Sequence, residues 1–284
     1  MLYPKTIEQK LGFDKLRERL KEACISPLGV SYVEKIRFSD NFSMVEKLVS
    51  QTAEMKKILE IGENFPSQNY LDVTTSLHSV TIEGMVLTQS EFSDIKVSLQ
   101  TILLCLRFFA NQEAEAFPLL GEYAKQINVD KAITDAIDKV IDDRGQVRDT
   151  ASTELARIRR QLISEQSGIR KKLDSMLRAA KSSGWVGEDV SLTVRNGRMV
   201  IPVAAEHKRK LKGFIHDESS TGQTVFIEPT DVFESNNEIR ELEYEERREI
   251  NRILLQLTNQ IRPYAPDLLR AYKFLGLMDY LRAK

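Results

Sequence analysis

The sequence has 284 residues, 42% hydrophobic and 29% charged, enough to bury a substantial core and by length alone enough for two domains. A formal net charge of −1 excludes a global field toward nucleic acid or membrane, so any such signal must be local. With 13 Gly and 8 Pro the chain is not composed for disorder, and two cysteines, Cys24 and Cys105, exclude a disulfide framework, so a reduced cytoplasmic setting is expected.

The opening MLYPKTIEQKLGF has no basic segment followed by an apolar run, so no signal peptide is expected. Residues 5–24 read as one helix with Ile7, Leu11, Phe13, Leu16, Leu20 and Cys24 on its apolar stripe. Ser26-Pro27-Leu28-Gly29 turns the chain into a second helix ending near Ile36, and Ser39-Asp40-Asn41 breaks the pattern. Ser43 and Glu46 have capping-box spacing for a third helix, with Val45, Leu48, Thr52, Met55, Ile58 and Leu59 facing inward until the 62–67 stretch ends it.

A short helix is predicted near 72–80, followed by a turn at Glu83-Gly84. Thr88 and Glu91 form a second capping-box pair, opening a strong helix through Ile95, Leu99, Ile102, Leu103, Leu106 and Phe109. Its apolar run 102–110 is interrupted by Arg107 and falls far short of the roughly 20 residues that span a bilayer, so no membrane partner is expected. Pro118 starts another short helix, residues 130–141 a further one, and 142–147 a tight turn.

Two long helical segments follow, flanking one β-rich stretch. In 150–182, Leu155, Leu162, Ile169 and Met176 stand seven residues apart, and Ile158, Leu173 and Ala180 fill the companion seam, which is coiled-coil spacing. Val232, Ile239, Leu242, Ile250, Ile253, Leu257 and Ile261 continue a pattern of threes and fours until Pro263. Residues 144–181 hold ten Lys or Arg against four Asp or Glu, whereas 231–262 hold eight acidic against five basic. The two segments are therefore expected to pair antiparallel, with the charge asymmetry setting orientation more than stability.

Between them, residues 191–229 read SLTVRNGRMVIPVAAEHKRKLKGFIHDESSTGQTVFIEP. Period-2 apolar spacings separated by Asn196-Gly197 and Thr221-Gly222 predict short antiparallel strands at the tip of the arm. The fold class expected is therefore mainly α: a helical bundle with a long antiparallel coiled-coil arm carrying a small antiparallel β clamp. The expected division is 1–143 for the helical core and lever, 144–262 for the arm with its tip at about 185–229, and 263–284 for a returning helix. That last helix stops without a cap or polar tail, which points to a boundary inside a longer protein.

Little in the chain has catalytic form. The dipeptide Gly-Lys needed by a P-loop is absent, as are HExxH, a GxSxG elbow and a Cys/His cluster. His216 and the hydroxyls of 219–221 lack an oxyanion hole and a third partner, so they read as turn architecture. No catalytic residue, metal ligand or cofactor ligand is assigned.

The window 193–216 is different: it holds six Lys or Arg against one Glu. Such a patch on strands and turns suits phosphate contact, with a solvated loop guarding a sheet edge as the alternative. Arg157, Arg159, Arg160, Arg170, Lys171 and Lys172 read instead as partners of the acidic returning helix. Trp185, the single tryptophan, lies where the first long helix meets the tip and reads as packing rather than as a base platform.

DRGQVRDTASTELARIRRQL from Asp143, SLTVRNGRMVIPV from Ser191, and GFIHDESSTGQTVFIEP followed by NNEIRELE resemble the MutS type 2 family, bacterial paralogues of the mismatch-repair protein MutS. The resemblance extends to the opening TIEQKLGFDKLRERL. It implies a core, lever and clamp followed in the full-length protein by an ABC-type ATPase that dimerises, and usually by a Smr nuclease domain. ATP and Mg would belong to that later part, and none to these residues.

The family's implied roles are binding branched DNA to restrain recombination and splitting collided ribosomes for rescue. Either would draw on Arg195, Arg198, Lys208, Arg209, Lys210 and Lys212 for phosphate contacts, with Thr221, Gly222 and Gln223 shaping the tip. The partner expected is DNA or ribosomal RNA, in a homodimer. A structural arm that dimerises or docks protein without touching nucleic acid is the competing reading, and a self-contained enzyme the weakest.

Overall fold

The computed structural model describes residues 6–61, 65–113 and 115–284. The chain divides into two compact units, one formed by Met1–Arg148 with Ile253–Lys284 and the other by Asp149–Arg252. Among the described residues no helix is long and apolar enough to cross a membrane.

The first unit is helical. The single helix expected over 5–24 is two, α1 (Ile7–Lys10) and α2 (Phe13–Ala23), because Gly12 takes a left-handed φ of 72° that an α-helix cannot contain. Helix α3 (Pro27–Glu34) opens with Ser26 accepting from Gly29 N, and proline occupies its first turn, where no N–H is needed.

Helix α4 (Phe42–Glu60) starts earlier than its expected capping box. Asn41 Oδ1 accepts from Met44 N at 3.1 Å, so Ser43 lies inside the helix and the Ser43–Glu46 box does not form. Of its expected inward residues Met55 and Ile58 are buried, while Val45, Leu48 and Leu59 are exposed. Gly62, expected to end it, lies outside the described residues.

Helices α5 (Thr74–Val80), α6 (Gln89–Ala110), α7 (Pro118–Lys125) and α8 (Lys131–Val140) follow. The second capping box forms as expected: Thr88 Oγ1 accepts from Glu91 N, and Glu91 Oε2 accepts from Thr88 N at 2.8 Å. Beyond α8, Ile141 and Val147 form an antiparallel bridge around a turn in which Asp142 Oδ1 accepts from Arg144 N and Gln146 N. Lys96, only 8% exposed, ties this turn to α6 through Asp143 at 2.9 Å and Asp138 at 2.8 Å. Burial works to lower the Lys96 ammonium, but the bonds it donates to the two carboxylates outweigh it and hold the ammonium above its usual range.

The long helices are α9 (Thr153–Ser182) and α10 (Thr230–Ile261), and the last is α11 (Ala265–Ala283). The final residues of α10 help close the first unit: Leu257 and Ile261 are buried, and Thr258 Oγ1 accepts from Leu87 N. Helix α11 is buried on nearly every side beyond Phe274, not along one face. Tyr280 stacks on Tyr32, Phe274 packs against Phe109 and Tyr123, and the Tyr272 hydroxyl bonds to Ser98.

Asp279 is fully buried in that apolar helix. Its carboxylate accepts from Ile25 N, Ser26 N and Ser26 Oγ at 2.6–3.0 Å, and so fastens α11 to the start of α3. A Cβ on Gly29 would stand 2.4 Å from the carboxylate, so this approach requires glycine.

The second unit combines α9, the part of α10 up to Arg252, and a four-stranded sheet: β1 (Thr193–Arg195), β2 (Arg198–Ala204), β3 (Gly213–Glu218) and β4 (Thr224–Pro229). The sheet order is β1-β2-β4-β3, every pairing antiparallel. Helices α9 and α10 lie antiparallel: Ser152 bonds to Glu249, Arg159 to Glu246 and Gln161 to Glu238, the numbers falling on one helix as they rise on the other.

Leu155, Ile158, Leu162, Ile169, Leu173, Leu177 and Ala180 of α9 are buried, most of them in a single cluster with Ile201, Val203, Val225, Ile227, Val232, Ile239 and Leu242. Met176, expected to continue the seven-residue repeat, is only partly buried and Leu177 takes its place. The drift follows from 3.6 residues per turn measured against a repeat of 3.5. Trp185 packs on the same cluster.

Candidate nucleic-acid interface

Two positive-φ residues, Asn196 at 51° and Gly197 at 74°, turn β1 tightly into β2, as a two-residue hairpin requires. This hairpin is latched to β3 and β4. Asn196 Nδ2 donates to His216 O at 3.1 Å, and Arg195 Nε lies 3.4 Å from Asp217 Oδ2. The Arg195 guanidinium also sits 4.2 Å from the Phe226 ring centroid.

Beneath the latch is the fully buried carboxylate of Glu228. It accepts from Arg198 Nη1 at 2.7 Å, from Asn236 Nδ2 at 2.7 Å and from His216 Nε2 at 2.5 Å, while Arg198 Nη2 donates to Asn237 Oδ1 at 2.6 Å. A buried carboxylate is costly unless its oxygens are satisfied, and here a guanidinium, an imidazole and an amide do so. The sequence reading missed this hub. The signal was a lone acid in the apolar strand TVFIEP, followed by Asn236-Asn237 at the start of α10.

The backbone is equally close there. Gly213 pairs with Pro229, and a Cβ on it would come within 2.1 Å of Glu228 O. One register shift, between Ile215 and Asp217, puts a bulge at His216.

Strands β2 and β3 are both antiparallel to β4 and flank it, so they run parallel to each other and residues 205–212 must cross the length of β4. The crossing is pinned at both ends: Ala205 N donates to Gln223 O at 2.9 Å, and Thr230 N donates to Lys212 O at 3.2 Å. Leu211 anchors it to the core cluster. Lys208, Arg209, Lys210 and Lys212 are exposed, and among the described residues their side chains form no ion pair.

The expected phosphate contacts therefore separate. Arg195 is half-buried and engaged with Asp217 and Phe226, and Arg198 is 12% exposed and committed to Glu228. The four cations of the crossover point to solvent. Thr221 and Gln223 are exposed in the β3–β4 turn, where Ser219 Oγ accepts from Thr224 N and Gly222 adopts a φ of 67°.

The basic residues of α9 divide similarly. Arg157 and Arg159 pair with Glu245 and Glu246 of α10, whereas Arg160 bonds to Ala156 O. Arg170, Lys171 and Lys172 are exposed and, among the described residues, pair with no carboxylate; the expected partnership with the acidic helix holds only for Arg157 and Arg159.

A mainly helical protein whose paired helices carry a small antiparallel sheet and an exposed basic crossover is the class these features define. The chain belongs to the MutS type 2 family. It is 35% identical over 276 residues to a protein named Endonuclease MutS2 from Geobacillus sp. (strain WCH70), a match covering 96% of this chain and 35% of that protein. The same name is carried by a Halalkalibacterium halodurans protein, 32% identical over 96% of the chain, and by a Listeria monocytogenes (strain HCC23) protein, 33% identical over 99%. The chain spans about a third of the length of these relatives, at 35–36% of each. No protein-family model matches it.

Proposed function

We propose that this chain is the nucleic-acid-gripping segment of a MutS type 2 protein, with α9 and α10 as a coiled-coil arm, the sheet as a clamp at its tip and the 205–212 crossover as the phosphate grip. The observation that carries the reading is four exposed cations without acidic partners among the described residues, concentrated in one pinned segment of a chain whose formal net charge is −1. The relatives' shared name supports a nucleic-acid role for the family. In the full-length protein the grip would serve an ATP-driven homodimer acting on branched DNA or on collided ribosomes, with ATP and Mg bound outside these residues. These residues alone would turn over no substrate.

The test is binding of the chain to a branched DNA and to purified ribosomes at low and moderate salt, beside the variant Lys208→Glu/Arg209→Glu/Lys210→Glu. The grip predicts a steep salt dependence whose log–log slope falls by about three in the variant, about one for each phosphate contact removed. Binding that ignores both salt and charge reversal would sink it. A protein-docking role has its own support in the first unit, where Phe38, Phe42 and Val49 are 71%, 76% and 62% exposed. Concentration-dependent self-association that survives the charge reversal would favour that role.

A further inference from the structure

The crossover delivers the chain into β3, where Phe214 is 50% exposed although it belongs to a strand. Its ring is not loose. The Phe233 ring of α10 lies 5.0 Å away centroid to centroid, and Phe233 is itself held 5.2 Å from the Arg198 guanidinium that anchors Glu228. Phe214 is therefore backed on one side by the tilted Phe233 ring and is half-exposed.

The hydrogen bond from Thr230 N to Lys212 O continues the β3–β4 ladder one step beyond Gly213. Strand alternation then brings the Lys212 and Phe214 side chains to the same side, roughly 7 Å apart. An exposed aromatic beside Lys212, which pairs with no carboxylate among the described residues, is complementary to a polyanion that offers π faces.

We propose that Phe214 is a stacking platform for an unpaired nucleobase, so that this surface prefers single-stranded or frayed nucleic acid to uninterrupted duplex. The proposal rests on the phosphate grip described above and adds to it a specificity that the lysines cannot supply. Phosphate contacts are indifferent to base pairing, whereas a ring can stack only on a base that its own duplex does not already cover. Because every base has a π face, the preference is for strandedness, not for sequence.

The experiment compares the chain with Phe214→Leu, which keeps an apolar contact for Phe233, and with Phe214→Trp, which keeps a ring. Affinities for labelled oligo-dT, oligo-U and a blunt duplex of equal length are measured across salt. A 2-aminopurine within an oligo-dT strand reports stacking by loss of emission. The proposal expects tighter binding of the single strands than of the duplex and quenching of 2-aminopurine. It expects Phe214→Leu to lose about tenfold in single-strand affinity and to lose the quench, while duplex affinity, salt slope and melting temperature stay as in the parent. Phe214→Trp should retain both.

Because thymine and uracil differ by a methyl group, oligo-dU measured beside oligo-U assigns the sugar. Equal affinity for single strand and duplex without quenching, or a Phe214→Leu variant that binds and quenches like the parent, overturns the platform and leaves the phosphate grip standing. No binding to any of the three at low salt overturns the grip itself and the platform with it.

Discussion

The β1–β2 hairpin and the β2–β3 crossover lie within one stretch of basic residues, yet they use their charges in opposite ways. On the hairpin, Arg195 and Arg198 turn inward onto Asp217, Phe226 and Glu228 and hold the sheet together. On the crossover, Lys208, Arg209, Lys210 and Lys212 face solvent. The difference follows what each side chain meets, since Arg209 faces solvent beside the three lysines. Arginine presents a planar fork that matches a carboxylate and lies flat on a ring, whereas lysine is a strongly hydrated point charge that favours water. A run of cations is thus not one feature but two, structural where a guanidinium meets a buried acid, as Arg198 meets Glu228, and available where the side chain meets only water, as on the crossover.

The largest expected effect tests the hairpin side. Glu228→Ala leaves Arg198 buried without its carboxylate, so it should lower stability by about 3–5 kcal/mol in denaturant melts. A loss below about 1 kcal/mol would show that the hub does not hold the sheet. Asp279→Ala is the parallel test in the first unit. It strips three donors at the start of α3 of their acceptor and should cost about 2–3 kcal/mol, read from the same melts.

Arg195→Ala should cost no more than about 1 kcal/mol, because its ion pair is 40% and 49% exposed and its ring contact is near the surface. Charge reversal at Lys208, Arg209 and Lys210 should move stability by no more than about 0.5 kcal/mol while abolishing most nucleic-acid affinity. That dissociation of fold from binding is the sharpest form of the contrast. If the triple variant melts like Glu228→Ala, the crossover is structural after all.

Titration gives a further contrast in the first unit. The Lys96 hydrogen bond holds Asp143 below the ordinary carboxylate range, and the Gln146 N–H does the same for Asp142. Depressed carboxylates contribute stability that is fully present above their unfolded values and is lost as pH falls through their folded ones, so the protein should weaken below about pH 4. Lys96→Met should be less stable at neutral pH but show a flatter acid limb in thermal melts recorded from pH 7 downward. An unchanged acid limb would remove the Lys96 pairing from the account.

How much of this was legible in the chain depends on the range of the interaction that decides it. Helices whose signals are local, such as α6 with its Thr88–Glu91 box, are readable from spacing alone, as is the Asn196-Gly197 turn. Asn41 was read as a breaker although it caps α4, because asparagine serves both ends of that distinction. The exposure of Val45 and Leu48 could not be read, since periodicity marks an apolar face without saying what covers it. In α11 Asp279 interrupts an apolar run, and only the distant Ile25–Ser26 donors explain a carboxylate there. Arg198 and Lys208 carry the same charge signal in sequence, and what separates them is that Arg198 meets Glu228 and Asn237, 30 and 39 positions away.

The strand order has a kinetic consequence. Strand β4 is the last of the four to leave the ribosome, yet it occupies the interior between β2 and β3. Until Thr224–Pro229 has been synthesised, β3 has no neighbour and the second half of β2 has an open edge, so a chain halted earlier carries unpaired backbone and uncovered Ile201 and Val203. The β1–β2 hairpin can close without β4, but pairing of β3 and of the second half of β2 waits for β4, whose arrival also buries Glu228. Amide exchange should report β3, β4 and the second half of β2 as one cooperative block, protected together and not separately.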